Sequence, residues 1–195
     1  MPKSLLKPAP FVNDFPGGKI GIGMVQEDKE RVPALVENNL SPYIQQYYAD
    51  DFAWCYGCGR HNLGGHHFTT RWDGDDTLTE YRPEAFHTAI PGFVYGGLIA
   101  SLIDCHSTGS AALALHRQAG HEPGDSAPVP RCVTAALKVD FLKPTPMGHT
   151  LVVRGQIQEI GAKKVIVVSQ VMIPGQIVAR AEVVAVRAPD SMMGR

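Results

Sequence analysis

The sequence is short of several things, and each shortage removes a class of protein. It holds four cysteines in 195 residues, too few for a disulfide-stapled scaffold, so a reduced, cytoplasmic setting is expected. It has almost no net charge: 18 Lys and Arg against 19 Asp and Glu leave −1, without the basic excess that non-specific binding to nucleic acid needs. No run of about 18 uninterrupted apolar residues occurs, so no membrane span is expected. The opening Met-Pro-Lys-Ser-Leu-Leu-Lys-Pro-Ala-Pro lacks the continuous apolar stretch of a signal peptide. Internal repeats and low-complexity tracts are missing too. What is present, 44% hydrophobic and 19% charged residues, suffices for a soluble core of one main domain plus an extension.

Residues 1–50 read as the extension. Pro2, Pro8, Pro10 and Pro16 with Gly17 and Gly18 interrupt any regular element at the start. Residues 25–49 then look helical, with Val32, Leu35, Val36 and Leu40 on one stripe. The main domain is expected over 51–190. Residues 66–73 and 76–82 read as strands around the turn Asp73-Gly74-Asp75. A long apolar segment, 98–115, follows Gly96 and Gly97 and is too long for a strand. Four more strand-like runs, 131–142, 150–159, 164–173 and 176–187, look like a continuous antiparallel meander. Two strands, one long helix and four strands give an α+β pattern: a curved six-stranded antiparallel sheet wrapped around a central helix.

The helix carries the chemistry. Between Gly96 and Leu115 its single carboxylate is Asp104, and an ionised carboxylate on an apolar helix is costly unless paired, hydrogen-bonded or functional. Ser101, Ser107 and Thr108 fall three and four residues away and extend a polar stripe. At the helix start, Gly96 and Gly97 expose backbone N–H groups at the positive end of the helix dipole, where the oxygen of a polarised carbonyl can sit. Asp104 lies about 12 Å further along the same helix, too far to serve one reacting carbon with Gly96, unless the Asp comes from a second subunit. On these residues alone, tight packing explains the glycine pair and a structural tie explains Asp104 equally well.

Three motifs in order resemble one family. Cys55-Tyr56-Gly57-Cys58-Gly59 with Asn62, Gly64 and Gly65 is the first. The second is Pro91-Gly92-Phe93-Val94-Tyr95-Gly96-Gly97 leading to Asp104, and the third is Leu137-Lys138-Val139-Asp140-Phe141-Leu142-Lys143-Pro144-Thr145-Pro146-Met147-Gly148. Together, over residues 52–188, they are similar to the PaaI-like hotdog-fold acyl-CoA thioesterases. The resemblance implies a hotdog fold in 51–190 and hydrolysis of an acyl-CoA or related thioester without a cofactor. It implies Asp104 as the catalytic carboxylate, the Gly96 N–H as oxyanion donor and Thr108 as an assisting polar group. It also implies a homodimer or homotetramer with active sites shared between subunits. Tyr95 stands where the family has His, and Ala89 where an Asn or Gln is frequent, with His87 and Thr88 beside it. Tyr95, Gly97, His87, Thr88 and Ser101 are expected to line the substrate site. Of the basic residues at or near strand ends, Lys143, Arg154, Lys163 and Lys164, it is Lys143 and Lys163 that are expected near the nucleotide phosphates.

Other readings of the same residues remain in view. Cys55-x-x-Cys58 followed by His61, His66 and His67 raises a zinc site. There is no second Cys-x-x-Cys and the glycines around the pair mark turns, so no metal is expected, and Cys105 and Cys132 are assigned to the core. A non-catalytic acyl-CoA binding protein on the same fold is one alternative function. A hydratase or dehydratase is the other, disfavoured because His106, two residues from Asp104, points to a different face of the helix.

Overall fold

Alternate burial sets the architecture. In the strand Lys164–Ile173, Val165, Val167, Ser169, Val171 and Ile173 are buried while their neighbours are partly exposed, the period-two pattern of a sheet with one face on the core. The structure, a computed structural model, describes residues 41–192. Six strands form one sheet: β1 Arg71–Asp73, β2 Asp76–Tyr81, β3 Cys132–Phe141, β4 Leu151–Ile160, β5 Lys164–Ile173 and β6 Gln176–Arg187. Between β2 and β3 runs α1, Gly96–Gln118. Every strand pair is antiparallel, in the order β1-β2-β4-β5-β6-β3. This is the hotdog arrangement, a curved sheet around one long helix.

The boundaries fall close to those read from periodicity, with two differences. The first strand shrinks to three residues, and the turn is as expected: Asp73 opposes Asp76, with Gly74 at φ +67°, a left-handed position suited to glycine. The continuous meander is corrected. β4, β5 and β6 form one, but β3 lies outside it, against β6. Both edges of β4 are taken, by β2 and β5. Residues 142–150, with Pro144 and Pro146, are too long and too proline-rich for a tight hairpin, and a tight hairpin is what makes consecutive strands neighbours.

By length and composition α1 could cross a bilayer, yet most of it is buried within the protein. One side meets the sheet. Residues 44–68 cover the helix elsewhere: Cys58 and Phe68 share a core with Leu98, Leu102 and Cys105, and Ile44 and Tyr48 share one with Ala111, Leu113 and Trp72. Of the helix expected over 25–49, most lies outside the described residues. Its end is a single 3-10 turn, Ile44–Tyr47, flanked by extended Tyr43 and Tyr48 and anchored where Ile44 N–H donates to the Thr70 carbonyl at 2.9 Å.

Candidate active site

The approach to α1 is held from both sides. Val94 N–H donates to the Thr145 carbonyl at 2.8 Å, Met147 N–H to Gly92 at 2.9 Å, and Tyr95 N–H to His87 at 2.9 Å. Tyr95 is the extended residue before the helix, and its side chain makes no capping bond. Among the described residues the N–H groups of Gly96 and Gly97 meet no acceptor. Two unengaged donors thus stand at the positive end of a 23-residue helix.

Of the two, Gly96 lines a cleft of about 270 Å³, together with Val94, Ile99, Phe141, Leu142, Lys143, Pro144 and Thr145. Its far wall is placed by a β-bulge. Between Val171 and Met172 the β5–β6 register skips Val178, whose carbonyl accepts from Leu142 N–H at 2.9 Å and Lys143 N–H at 3.2 Å. A side chain at Gly96 would face the Phe141 ring at 3.6 Å, while one at Gly97 would stand 2.4 Å from the Tyr95 ring. That ring therefore folds back across the first helical turn, 56% exposed. His87 Nδ1 accepts from Glu84 N–H at 3.0 Å, and the Thr88 hydroxyl donates to the Ile90 and Phe93 carbonyls; both shape the loop before the helix. The His87 ring also packs on His66 and Phe86. Burial, then the neighbouring His87 and His67, holds the His66 imidazole below its ordinary pKa.

Asp104 is half-buried, and the Thr134 hydroxyl donates to its Oδ1. A bulge aims that hydroxyl. In the β3–β6 register Thr134 opposes Ala185 and Ala136 opposes Val184, leaving Ala135 as the extra residue, and bulges re-aim side chains in this way. Thr134 is the member of the site that sequence reasoning missed. It lies 30 residues from Asp104, and a threonine in a strand is unremarkable by itself.

The remaining expected residues divide. Thr108 is buried, and its hydroxyl donates to the helix's own carbonyls at Asp104 and Cys105. Ser101 faces the segment around Gly57. Lys143 is at the cleft by Gly96. Lys163 lies at the opposite end of α1, in a second cleft of about 390 Å³ with Leu115 and Gln118. Arg154 and Lys164 already have acidic partners, Asp73 and Glu159. His106 is fully buried away from Asp104, with Nδ1 2.9 Å from the Thr79 hydroxyl, and burial lowers its pKa to about 3.

Comparison with known proteins agrees with the fold. The family model described as the thioesterase superfamily matches residues 91–179. A solved thioesterase superfamily protein from Shewanella loihica is 44% identical, covering 72% of this chain and 98% of that one, with TM-score 0.55. The Escherichia coli PaaI protein from the phenylacetic acid degradation operon is 18% identical over 64% of this chain and 81% of its own, TM-score 0.51. A Streptococcus mutans protein solved with acetyl CoA bound is 20% identical over 62% and 88%, TM-score 0.50. No curated protein matches.

Proposed function

The chain belongs to the thioesterase superfamily, and on that premise we propose that it hydrolyses an acyl thioester carried on coenzyme A. The observation that carries the reading is the Gly96 N–H, without an acceptor among the described residues, at the wall of a cleft shared with Val94, Ile99, Phe141 and Lys143. The thioester carbonyl oxygen accepts from Gly96, and the charge that develops on it in the tetrahedral intermediate strengthens that bond. Loss of one such donor costs about 3–4 kcal/mol in other hydrolases. Acetyl CoA on the Streptococcus mutans protein supports coenzyme A as the carrier.

The carboxylate comes from a second copy of the chain, because Asp104 stands about 12 Å along the helix from Gly96 of its own subunit. Asp104 of the partner subunit takes a proton from water, hydroxide adds to the carbonyl carbon, and the intermediate collapses with loss of the thiolate. Direct attack by the carboxylate, giving an anhydride that water then opens, uses the same geometry. Label from heavy-oxygen water found in Asp104 after a single turnover identifies the second route.

A panel of acyl-CoA thioesters, read by thiol release, tests the activity. Asp104→Asn should keep the fold and lose about a hundredfold or more in kcat, the scale of removing a general base. Retention of about a tenth of the activity or more would return Asp104 to a structural role. Binding of acyl-CoA without turnover by the wild type would sink the enzymatic reading.

A further inference from the structure

The cysteine assigned to the core, Cys105, lies against the Cys55-x-x-Cys58 loop. The sulfurs of Cys55, Cys58 and Cys105 all fall within 4.8 Å of one another, and the Cys55–Cys105 pair is 3.9 Å apart. Tetrahedral zinc, with Zn–S bonds of about 2.3 Å, sets its sulfurs about 3.8 Å apart. We propose that Cys55, Cys58 and Cys105 form a three-thiolate site for a thiophilic divalent cation, zinc foremost, with water in the fourth position.

Two further features fit the loop to this role. A side chain at Gly57 would stand 2.3 Å from the Cys105 sulfur, so a glycine is needed for the helix cysteine to approach the loop. The tight turn closes with Gly59 N–H donating to the Cys55 carbonyl at 2.7 Å.

Charge supplies an independent argument. Binding replaces three thiol protons by one divalent ion, and the complex keeps one negative charge. Arg131 cancels it: Nη2 lies 3.9 Å from the Cys58 sulfur, while Nη1 is buried with no hydrogen-bond partner among the described residues. A buried guanidinium with unsatisfied donors is costly beside neutral thiols and well placed beside thiolates. Cys55 is only half-buried, which leaves a way in for the ion. The site would tie residues 53–68 to α1 one residue after Asp104, fixing the rotation of the helix that carries the carboxylate.

The test uses the full chain purified under a thiol reductant without chelator. Zinc by mass spectrometry should approach one ion per chain. Cobalt added to the stripped protein should give thiolate charge-transfer bands and the strong red absorption of a tetrahedral site. Cys105→Ser should lose the charge-transfer intensity, and Cys132→Ser, whose thiol lies in the other half of the core, should keep it. The cobalt spectrum of the wild-type chain decides the matter even if Cys105→Ser folds poorly. Absence of charge-transfer bands at saturating cobalt overturns the site, as does full zinc binding by a folded Cys105→Ser. A Cys55–Cys58 disulfide in metal-free protein, found by mass mapping, overturns it in favour of a redox pair.

Discussion

Asp104 owes its environment to one hydroxyl. On a helix flanked by Leu102, Ile103 and Cys105, its carboxylate is only half-buried and receives the Thr134 hydroxyl. A hydrogen bond to a charged group contributes about 1.5–3 kcal/mol, and here it also fixes the direction of the carboxylate. Thr134 is therefore a positioning residue in the proposed reaction. Thr134→Val keeps the shape and removes the donor, so kcat should fall about tenfold or more with KM little changed. Thr134→Ser restores the hydroxyl and should recover most of the rate. A purely structural threonine would give the opposite order, since Val preserves β-branched packing that Ser lacks.

Between elements, the docking of α1 on the sheet runs through another buried polar group. His106 is sealed under β2 and β4: Nδ1 is 2.9 Å from the Thr79 hydroxyl, Nε2 is 3.4 Å from Thr77, and Ser110 lies one turn away. At Gly155 the strand comes so close that a side chain would stand 2.3 Å from the imidazole. Burial, with no carboxylate in contact among the described residues, keeps the ring neutral and drops its pKa to about 3. Unfolding frees it to its ordinary value of about 6.5. Between those two values the unfolded chain binds the extra proton, so stability is full above about pH 6.5 and declines as pH falls toward 3. The slope inside that window is about 1.4 kcal/mol per pH unit for this one group. Urea unfolding of wild type and His106→Gln between about pH 7.5 and 5 should show a smaller loss in the variant. Equal slopes would show that another group governs the acid response.

The same elements show what could be read from residues and what could not. The helix and the four long strands were legible because period and turn residues are local, and Gly96, Gly97 and Asp104 were legible because they share that helix. The position of β3 beside β6 was not, since nothing local states which edge a strand will join once its connection is nine residues long. Thr134 and the Cys105 sulfur escaped for a related reason. Each meets its partner across 30 to 50 residues, through a register set by the bulge at Ala135 in one case and by the approach at Gly57 in the other. A cysteine on an apolar helix reads as core until the fold brings a second and third sulfur to it.

For the whole molecule, the question is where a second copy would join. The helix offers no broad apolar face for this, because residues 44–68 pack on it. The sheet does. Among the described residues β3 is an edge strand, ten residues long; Leu137 is 41% exposed, Phe141 55%, and Leu142 just beyond it 47%. A long, apolar, unpaired edge invites association, and two copies meeting edge to edge bury the same patch twice in a closed dimer. That edge ends at the Gly96 cleft and carries Thr134 beside Asp104, so an interface there gathers both halves of the proposed site. Leu137→Lys places a charge on a position already open to water in one chain, so each subunit should stay folded. Light scattering at micromolar concentration should show the wild type as a dimer or larger and the variant shifted toward monomer. Thiol release per chain should fall in parallel, and it should recover as the variant is concentrated, because a site built from two subunits follows the population of dimers. Activity that is unchanged in a monomeric variant would place Asp104 and Gly96 in separate roles and end the shared-site mechanism.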